Sequence, residues 1–256
     1  MNVATQNTIV GNREVVLEIK NLYKAFGKNK VLNGFNMKLF KGENLVIMGK
    51  SGSGKSVMIK CLVGLMQADS GSIKLMDQEL SQMKPEELNV VRADIGFLFQ
   101  GSALYDSMTV RENLEFPLRR HRNRFSADLD TEKLIVSALD DVGLAHTLDL
   151  MPSELSGGMK RRVALARTLI LKPKIILYDE PTTGLDPITA KEIILLITEL
   201  QHKFHTSSLI ITHDVDCARV ISDRMILLIE GKNYVEGTYE ELSNNKDPKI
   251  KAFFKH

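Results

Sequence analysis

The stretch GKSGSGKS, residues 49–56, decides the fold of this 256-residue sequence. Its spacing, G-x-x-x-x-G-K-[ST], is that of the Walker A phosphate-binding loop. The apolar run NLVIM (Asn44–Met48) leads into it, and a helical pattern follows over residues 57–65. A buried strand, a glycine-rich loop and a helix in this order predict that backbone N–H groups and the helix N-terminus converge on the phosphates of a nucleotide.

The loop residues predicted to contact ATP have separate roles. Lys55 is expected to reach the β- and γ-phosphates, and the Ser56 hydroxyl is expected to bind Mg²⁺. A chance turn rich in glycine and serine is the plainer alternative, but the flanking strand and helix argue against it. The predicted ATP contacts in this loop are Gly49, Ser51, Gly52, Ser53, Gly54, Lys55 and Ser56.

A second motif, IILYDEP at residues 175–181, has the pattern of a Walker B strand. Asp179 ends the apolar run and is predicted to hold Mg²⁺ through water. Glu180 follows and is the candidate general base for the attacking water, a role that typically contributes about 10²–10⁴ in rate. Two adjacent acids could instead mark a solvated strand edge, but ligands of α/β folds bind at the carboxyl ends of buried strands.

The composition excludes several classes of protein. Hydrophobic residues make up 43% and charged residues 26%, and the net charge of +2 is far from the basic excess of a nucleic-acid binder. The two cysteines, Cys61 and Cys217, have no metal-binding spacing. No apolar run reaches the roughly eighteen residues that span a bilayer. We therefore expect a cytosolic protein that another chain brings to a membrane.

The pattern of strands and helices predicts an α/β fold. VVLEIK (residues 15–20) and FNMKLF (35–40) are expected to pair as antiparallel strands, and residues 101–160 are mostly helical in pattern. Strands and helices alternate again after about residue 173, which is typical of a mainly parallel, doubly wound sheet.

We therefore predict a single domain over residues 1–256, with a polar, frayed start at residues 1–14. Its P-loop NTPase core, a mainly parallel sheet with an antiparallel β subdomain, is expected over residues 1–99 and 165–256. An inserted α-helical subdomain is expected over residues 100–164.

Five further motifs occur in order along the chain. They are Tyr23 in NLYKAFG, Gln100 after GFLF, LSGGM at residues 155–159, TTGLDP at residues 182–187, and His213 in ITHD. Together with the two phosphate-site motifs they resemble the ATP-binding subunits of ABC transporters, and the resemblance covers essentially the whole chain. It implies the ABC ATPase fold and an ATP-hydrolysing activity with ATP and Mg²⁺ as cofactors.

The resemblance also implies a role for single residues. Tyr23 would stack on adenine, and Asp186 would lie at a dimer interface. Gln100 and His213 would join Glu180 in catalysis, with Gln100 also contacting Mg²⁺. Taken alone, each side chain has a plainer interpretation, as a core aromatic, a polar strand end or a hydrogen-bonded histidine.

In the family that this chain resembles, two ATP-binding subunits dock head to tail around ATP. The resemblance implies that Ser156 and the amides of Gly157 and Gly158 contact the γ-phosphate of ATP bound to a second copy of the chain. A side chain at either glycine would hold the backbone away from the phosphate. The helix expected over residues 159–171 would add its dipole. A homodimer is therefore expected.

The LSGGM stretch at residues 155–159 resembles the signature motif of the family. This motif and the segment after Gln100 are similar to the phospholipid-transport (Mla) branch. Residues 99–121 lack the proline that many importers have at the L-x-P position, and Met159 stands where glutamine is commoner. This likeness implies two partners, an integral-membrane permease dimer and an MCE-domain lipid-binding protein. The chain would sit peripherally at the cytoplasmic face of the inner membrane, contacting the membrane mainly through the permease, and no nucleic acid partner is expected.

Other interpretations stay open. The chain could serve a transporter of amino acids, metals or lipoproteins, or be a soluble ABC ATPase of translation or DNA repair. A P-loop kinase would leave LSGGM and His213 unexplained. Residues 119–124 (RRHRNR) could face anionic lipid or form a solvated surface, and residues 160–162 (KRR) could meet nucleotide phosphates or neighbouring acids.

Overall fold

The structure is a computed structural model that describes residues 13–254, apart from the side chains of Ser81 and Pro85. Of the start predicted to fray, residues 1–12 lie outside this range. In chain order the strands and helices are β1 (Val15–Phe26), β2 (Asn29–Phe40), β3 (Asn44–Met48), α1 (Lys55–Leu62), β4 (Ser70–Leu75), β5 (Gln78–Glu79), α2 (Pro85–Arg92), β6 (Ile95–Leu98), α3 (Val110–Arg120), α4 (Thr131–Asp140), α5 (Gly157–Leu169), β7 (Ile175–Asp179), α6 (Pro187–Phe204), β8 (Ser207–Thr212), α7 (Val215–Ile221), β9 (Arg224–Ile229), β10 (Lys232–Gly237), α8 (Tyr239–Ser243) and α9 (Pro248–Phe254).

The described residues form two sheets. The larger has the order β10-β9-β3-β8-β7-β6, and all its neighbouring strands are parallel except the edge strand β10. The smaller is antiparallel, with the order β2-β1-β4-β5. These two sheets and the helices around them confirm the predicted α/β fold, with a mainly parallel sheet and an antiparallel sheet.

Strand β3 shows why its apolar run is continuous. Val46 and Met48 belong to one hydrophobic core, shared with helices α5, α6 and α7. Leu45 and Ile47 point to the opposite face, into a second core shared with α1 and the antiparallel sheet. Because both faces of the parallel sheet are covered, every residue of this central strand is buried and apolar side chains are required on both sides.

Helices α3, α4 and α5 fill the segment between β6 and β7, where the helical subdomain was predicted. Helix α5 runs without a break across the predicted boundary between residues 164 and 165. Its C-terminal end packs directly on β6, since a Cβ at Gly96 would lie 2.6 Å from Cγ2 of Thr168. The subdomain division therefore stays a prediction, and α5 belongs to both parts.

Several predicted boundaries are wrong. Helix α1 begins at Lys55 rather than residue 57, because it starts directly from the loop with Gly54 as its N-cap. Helix α5 begins at Gly157 rather than residue 159, because the Ser156 side chain caps it, and it ends at Leu169 rather than residue 171. The sequence patterns also missed α2, α7, α8, β5 and β10; β10 alternates exposed and half-buried residues and has no apolar run.

The basic stretch at residues 119–124 is partly engaged within the chain. Arg124 forms an ion pair with Asp94 at 2.6 Å, which links the helical segment to the start of β6. Arg122 donates a hydrogen bond to the Ala127 carbonyl oxygen at 2.6 Å. These contacts favour a structural role for the stretch over a lipid-facing one.

Candidate nucleotide-binding site

The Walker A loop connects buried β3 to the first turn of α1. Lys55 is 8% exposed, and its Nζ donates to the carbonyl oxygens of Gly49 at 2.6 Å and Lys50 at 3.3 Å. Burial lowers the pKa of Lys55, and the nearby Glu180 and Asp179 carboxylates partly offset this. The ammonium group is thus held inside the loop by backbone carbonyl oxygens, with the Glu180 carboxylate 4.0 Å away, an environment that a phosphate group would complete.

Two glycines show that the antiparallel sheet packs closely against this loop. Gly54 has φ 107°, and a Cβ there would lie 2.8 Å from the Val31 carbonyl oxygen of β2. A Cβ at Gly231, after β9, would lie 2.5 Å from the same oxygen. Only glycine permits this close approach. The hairpin of β1 and β2 is therefore seated against the phosphate loop.

Tyr23 lies on this hairpin and is 42% exposed. Its ring packs over Gly34 of the neighbouring strand, where a Cβ would lie 2.8 Å from the Tyr23 hydroxyl oxygen. An exposed aromatic face held by a strand next to the phosphate loop can serve as a stacking surface.

Asp179 is the last residue of β7 and Glu180 follows it. Strand β7 lies between β8 and β6 inside the larger sheet. The alternative of a solvated sheet edge is therefore wrong. Burial and the neighbouring Glu180 raise the pKa of the Asp179 carboxyl, while Lys55 and Lys60 partly offset the shift. A carboxylate in such surroundings is stabilised by a bound cation.

Glu180 is held by contacts from three segments. Its backbone has φ 51°, in the left-handed region that costs a non-glycine residue about 1–3 kcal/mol. Its Oε2 accepts a hydrogen bond from Nδ1 of His213 at 2.8 Å and from the Thr183 hydroxyl at 3.4 Å. Its Oε1 lies 4.0 Å from Nζ of Lys55. The structure thus brings Lys55, Glu180 and His213 together at the carboxyl ends of β3, β7 and β8.

Gln100 lies just beyond β6, which neighbours β7, and its side chain is exposed. Ser51, Gly52 and Ser56 are also exposed on the loop and the first turn of α1. Exposed polar groups at this edge remain accessible to a nucleotide. Ser53 differs, because its Oγ is buried and has no hydrogen-bond partner among the described residues.

The signature motif forms the N-terminus of α5. The Ser156 Oγ accepts a hydrogen bond from the Met159 amide at 3.2 Å, and Ser156 and Gly157 are exposed. Within residues 13–254 no hydrogen bond or ion pair joins residues 156–158 to the loop at residues 49–56. Met159 packs its side chain against the apolar core, so this position offers no polar contact. The helix N-terminus at Ser156, whose free amides carry a partial positive charge, thus makes no direct polar contact with the phosphate loop among the described residues.

Gly158 also has a packing role within the chain. A Cβ there would lie 2.7 Å from Cγ2 of Thr189 on α6, whereas a Cβ at Gly157 would meet only the Leu185 side chain at 3.6 Å. Gly158→Ala is expected to lower the free energy of unfolding by about 1–3 kcal/mol, because the two helices must separate.

Thermal unfolding of three variants tests this role of Gly158. Gly157→Ala is the matched control and is expected to unfold near the wild-type temperature. Thr189→Ser removes the obstructing methyl and keeps the hydroxyl, so it should restore most of the loss in the double variant. An unchanged unfolding temperature for Gly158→Ala, or no recovery in the double variant, would contradict the packing argument.

Asp186, predicted to lie at a dimer interface, is the N-cap of α6. Its Oδ1 accepts from the amides of Ile188 at 3.1 Å and Thr189 at 3.0 Å. A hydrogen bond from the Thr189 side chain is the largest cause of a lowered pKa of Asp186, and the hydrogen bonds from the backbone amides add to it. The carboxylate is exposed, so the capping role leaves one face of it accessible to a second chain.

The sequence patterns did not show whether the three basic residues at 160–162 contact nucleotide phosphates or neighbouring acids. Arg162 forms an ion pair with Glu192 at 3.0 Å, as one of the two alternatives expected. Arg161 instead turns inward and donates to backbone carbonyl oxygens of Phe99 and Gln100. Helical spacing could have indicated this, since Arg161 stands four and eight residues before the buried Leu165 and Leu169.

A buried lysine in a glycine-rich loop, facing a carboxylate and a histidine at the ends of adjacent parallel strands, defines a P-loop nucleoside triphosphatase. The profile of the family described as "ABC transporter" matches residues 32–183. The chain belongs to this family.

Three similar proteins show the breadth of the family. The methionine import ATP-binding protein MetN of Campylobacter jejuni is 40% identical over 93% of the chain and 75% of its own length. The intermembrane phospholipid transport system ATP-binding protein MlaF of Haemophilus influenzae is 36% identical over 94% and 90%. A dimeric ATP-binding cassette solved with ADP and Pi in a post-hydrolysis state superposes with a TM-score of 0.77 at 33% identity, covering 87% of this chain and 98% of that one.

These relatives establish the general activity. The chain is an ATP-binding, ATP-hydrolysing subunit of an ABC transporter. Among the described residues no helix is both long and apolar enough to cross a membrane.

Proposed function

We propose that this chain powers phospholipid transport between membranes, as the ATPase of a complex with an integral-membrane permease dimer and an MCE-domain lipid-binding protein. The contact between Glu180 and His213 at 2.8 Å, beside the buried Lys55, carries the ATPase part of the proposal. The likeness to the phospholipid transport protein MlaF supports the substrate. The complex would place the chain at the cytoplasmic face of the inner membrane.

Within one copy, the loop residues would bind the triphosphate of ATP. Lys55 would exchange its contacts with Gly49 and Lys50 for phosphate oxygens, and the exposed ring of Tyr23 would stack on the adenine, an interaction worth about 1–3 kcal/mol for a base on an aromatic side chain. Glu180 would take a proton from the attacking water. His213 would hold the Glu180 carboxylate through Nδ1 and face the γ-phosphate.

Ser56, Gln100 and Asp179 fit a Mg²⁺ site by their chemistry. They offer hydroxyl, amide and carboxylate oxygens, the ligand types that Mg²⁺ prefers. The buried Asp179 carboxyl, with its raised pKa, is a group whose ionised form a divalent cation would favour. When bound, Mg²⁺ would neutralise charge on the phosphates during transfer.

The second copy would complete the site. The exposed Ser156 and the amides of Gly157 and Gly158 lie at the N-terminus of α5. Among the described residues, none of them forms a hydrogen bond with the phosphate loop of the same chain. In a head-to-tail homodimer they would bind the γ-phosphate of the other copy's ATP, with Asp186 at the interface. The dimeric state of the cassette solved with ADP and Pi supports a homodimer. ATP would then close the dimer, and hydrolysis would release it.

The likeness to MetN favours methionine import as the second candidate function.

Purification of the chain from detergent-solubilised membranes, followed by protein and lipid mass spectrometry, distinguishes phospholipid transport from methionine import. Co-purification with a multi-span permease, an MCE-domain protein and bound phospholipid is the expected result. ATP hydrolysis that rises with methionine, in a complex without an MCE-domain protein, would refute phospholipid transport. Extraction without detergent is the control for soluble contaminants.

A further inference from the structure

Arg161 is a buried arginine whose guanidinium contacts backbone carbonyls rather than acids. It is 3% exposed, and its Nη1 donates to the Phe99 oxygen at 2.8 Å. Its Nη2 donates to the oxygens of Gln100 at 2.5 Å and Thr183 at 3.4 Å. Nε has no hydrogen-bond partner, and no carboxylate of residues 13–254 lies within ion-pair distance.

This arrangement is costly for fold stability alone. A buried charge without a counter-ion is destabilising unless its donors are well used, and the neighbouring inward positions of α5 are apolar. Burial accordingly lowers the pKa of Arg161. The planar guanidinium can, however, hold several acceptors in fixed directions at once, which a compact ammonium cannot do. Arg161 uses this property to join two separate loops to one helix.

The first of these loops needs such support. Phe99 and Gln100 are exposed, and the next residues Ser102 and Ala103 have φ 63° and 49°, in the left-handed region. A second arginine of α5, Arg167, donates to the Ser102 carbonyl oxygen at 3.0 Å. The backbone around Gln100 is therefore held in an unfavourable conformation by side chains of the signature helix.

The second loop leads to the candidate base. Thr183, whose carbonyl oxygen accepts from Arg161, donates its amide to the Glu180 carbonyl oxygen at 3.3 Å. Its hydroxyl donates to Oε2 of Glu180 at 3.4 Å. A displacement of α5 is thus transmitted through Arg161 to the segments that carry Gln100 and Glu180.

We propose that Arg161 is a positioning residue that fixes the backbone of Gln100 and Thr183 to the signature helix. It fixes the position of Gln100 and Glu180, which serve one ATP site, relative to Ser156 of the same chain, which serves the other ATP site of the dimer. The consequence for turnover rests on the proposed function of these residues, whereas the fixing of the two loops does not.

Arg161→Lys tests the proposal, because lysine keeps the charge but its ammonium cannot hold both loops in the fixed geometry of the guanidinium. Amide hydrogen exchange without nucleotide is expected to become about tenfold faster or more at residues 99–103 and 182–185. This is the effect on local opening of losing one hydrogen bond to a charged group. Exchange in β3 and β8 should not change. Arg162→Lys, on the same helix but paired with Glu192, is the matched control and should leave all these rates unchanged.

ATP hydrolysis by the full chain supplies the second readout. Arg161→Lys is expected to raise the Mg²⁺ concentration for half-maximal hydrolysis several-fold, while ATP affinity measured without Mg²⁺ is retained. If the Arg161→Lys variant does not fold, Arg161→Gln, which removes the buried charge, replaces it in both measurements.

Unchanged exchange at residues 99–103, or exchange raised equally throughout the sheet, would overturn the proposal that Arg161 fixes the loops. Faster exchange at residues 99–103 with an unchanged Mg²⁺ requirement would refute its consequence for turnover. Absence of ATP hydrolysis in the wild-type chain would instead refute the function proposed above, and the exchange rates would still decide whether Arg161 fixes the loops.

Discussion

Replacing Glu180 with glutamine is expected to lower the rate of ATP hydrolysis by about 10²–10⁴, the usual contribution of a positioned general base. The glutamine carbonyl oxygen can still accept the hydrogen bonds that Oε2 accepts from His213 and Thr183. It has the same size and the same cost in the left-handed backbone conformation. Geometry is therefore kept, and what is lost is the ability to take a proton from water.

The same variant should accumulate the ATP-bound dimer, because the step that opens it is blocked. Size-exclusion chromatography with light scattering, in ATP and Mg²⁺, measures the dimer fraction alongside a phosphate-release assay. Glu199→Gln, the same change on an exposed residue of α6, is the matched control and should behave as wild type. Hydrolysis at the wild-type rate by Glu180→Gln would show that Glu180 is not the base.

The contacts on which this experiment rests differ in how far they could be predicted. The strands leading to Lys55 and Glu180 were predictable, because a parallel strand covered on both faces must be apolar throughout and its carboxyl end is where ligands bind. The pairing of Glu180 with His213 depends on β7 lying beside β8 in the sheet. Strand order is set by packing between distant parts of the chain, so no local pattern showed that contact.

Arg161 and Gly158 illustrate a second limit. Local sequence identifies both as members of the signature stretch, but not the atoms they meet. Gly158 lies against Thr189 and Arg161 against Gln100, each in a segment distant in sequence. The roles of these two residues in the fold come from close packing of α5 on α6 and on the segment after β6. A single sequence carries the helical periodicity of such residues and not the identity of their neighbours.

Replacing Ser156 with arginine is expected to abolish ATP hydrolysis while ATP binding to the monomer is retained. Ser156 is exposed at the N-terminus of α5, and the described residues form no hydrogen bond from it to the chain's own phosphate loop. A long charged side chain would fill the space that the other copy's γ-phosphate must enter. Binding of a fluorescent ATP analogue at low protein concentration, where monomers prevail, separates these two effects.

The loss of the N-cap is the main complication, since removing a serine cap costs about 0.5–2 kcal/mol. Ser156→Asp resolves it, because aspartate caps a helix as well as serine does while its negative charge repels a phosphate. Both variants should therefore be inactive, and Ser156→Asp should unfold near the wild-type temperature. Ser153→Arg, an exposed position three residues earlier, is the control for adding an arginine nearby and should remain active. Monomer binding lost in both Ser156 variants would place Ser156 in its own copy's site, and the ATP would then not be shared between two chains.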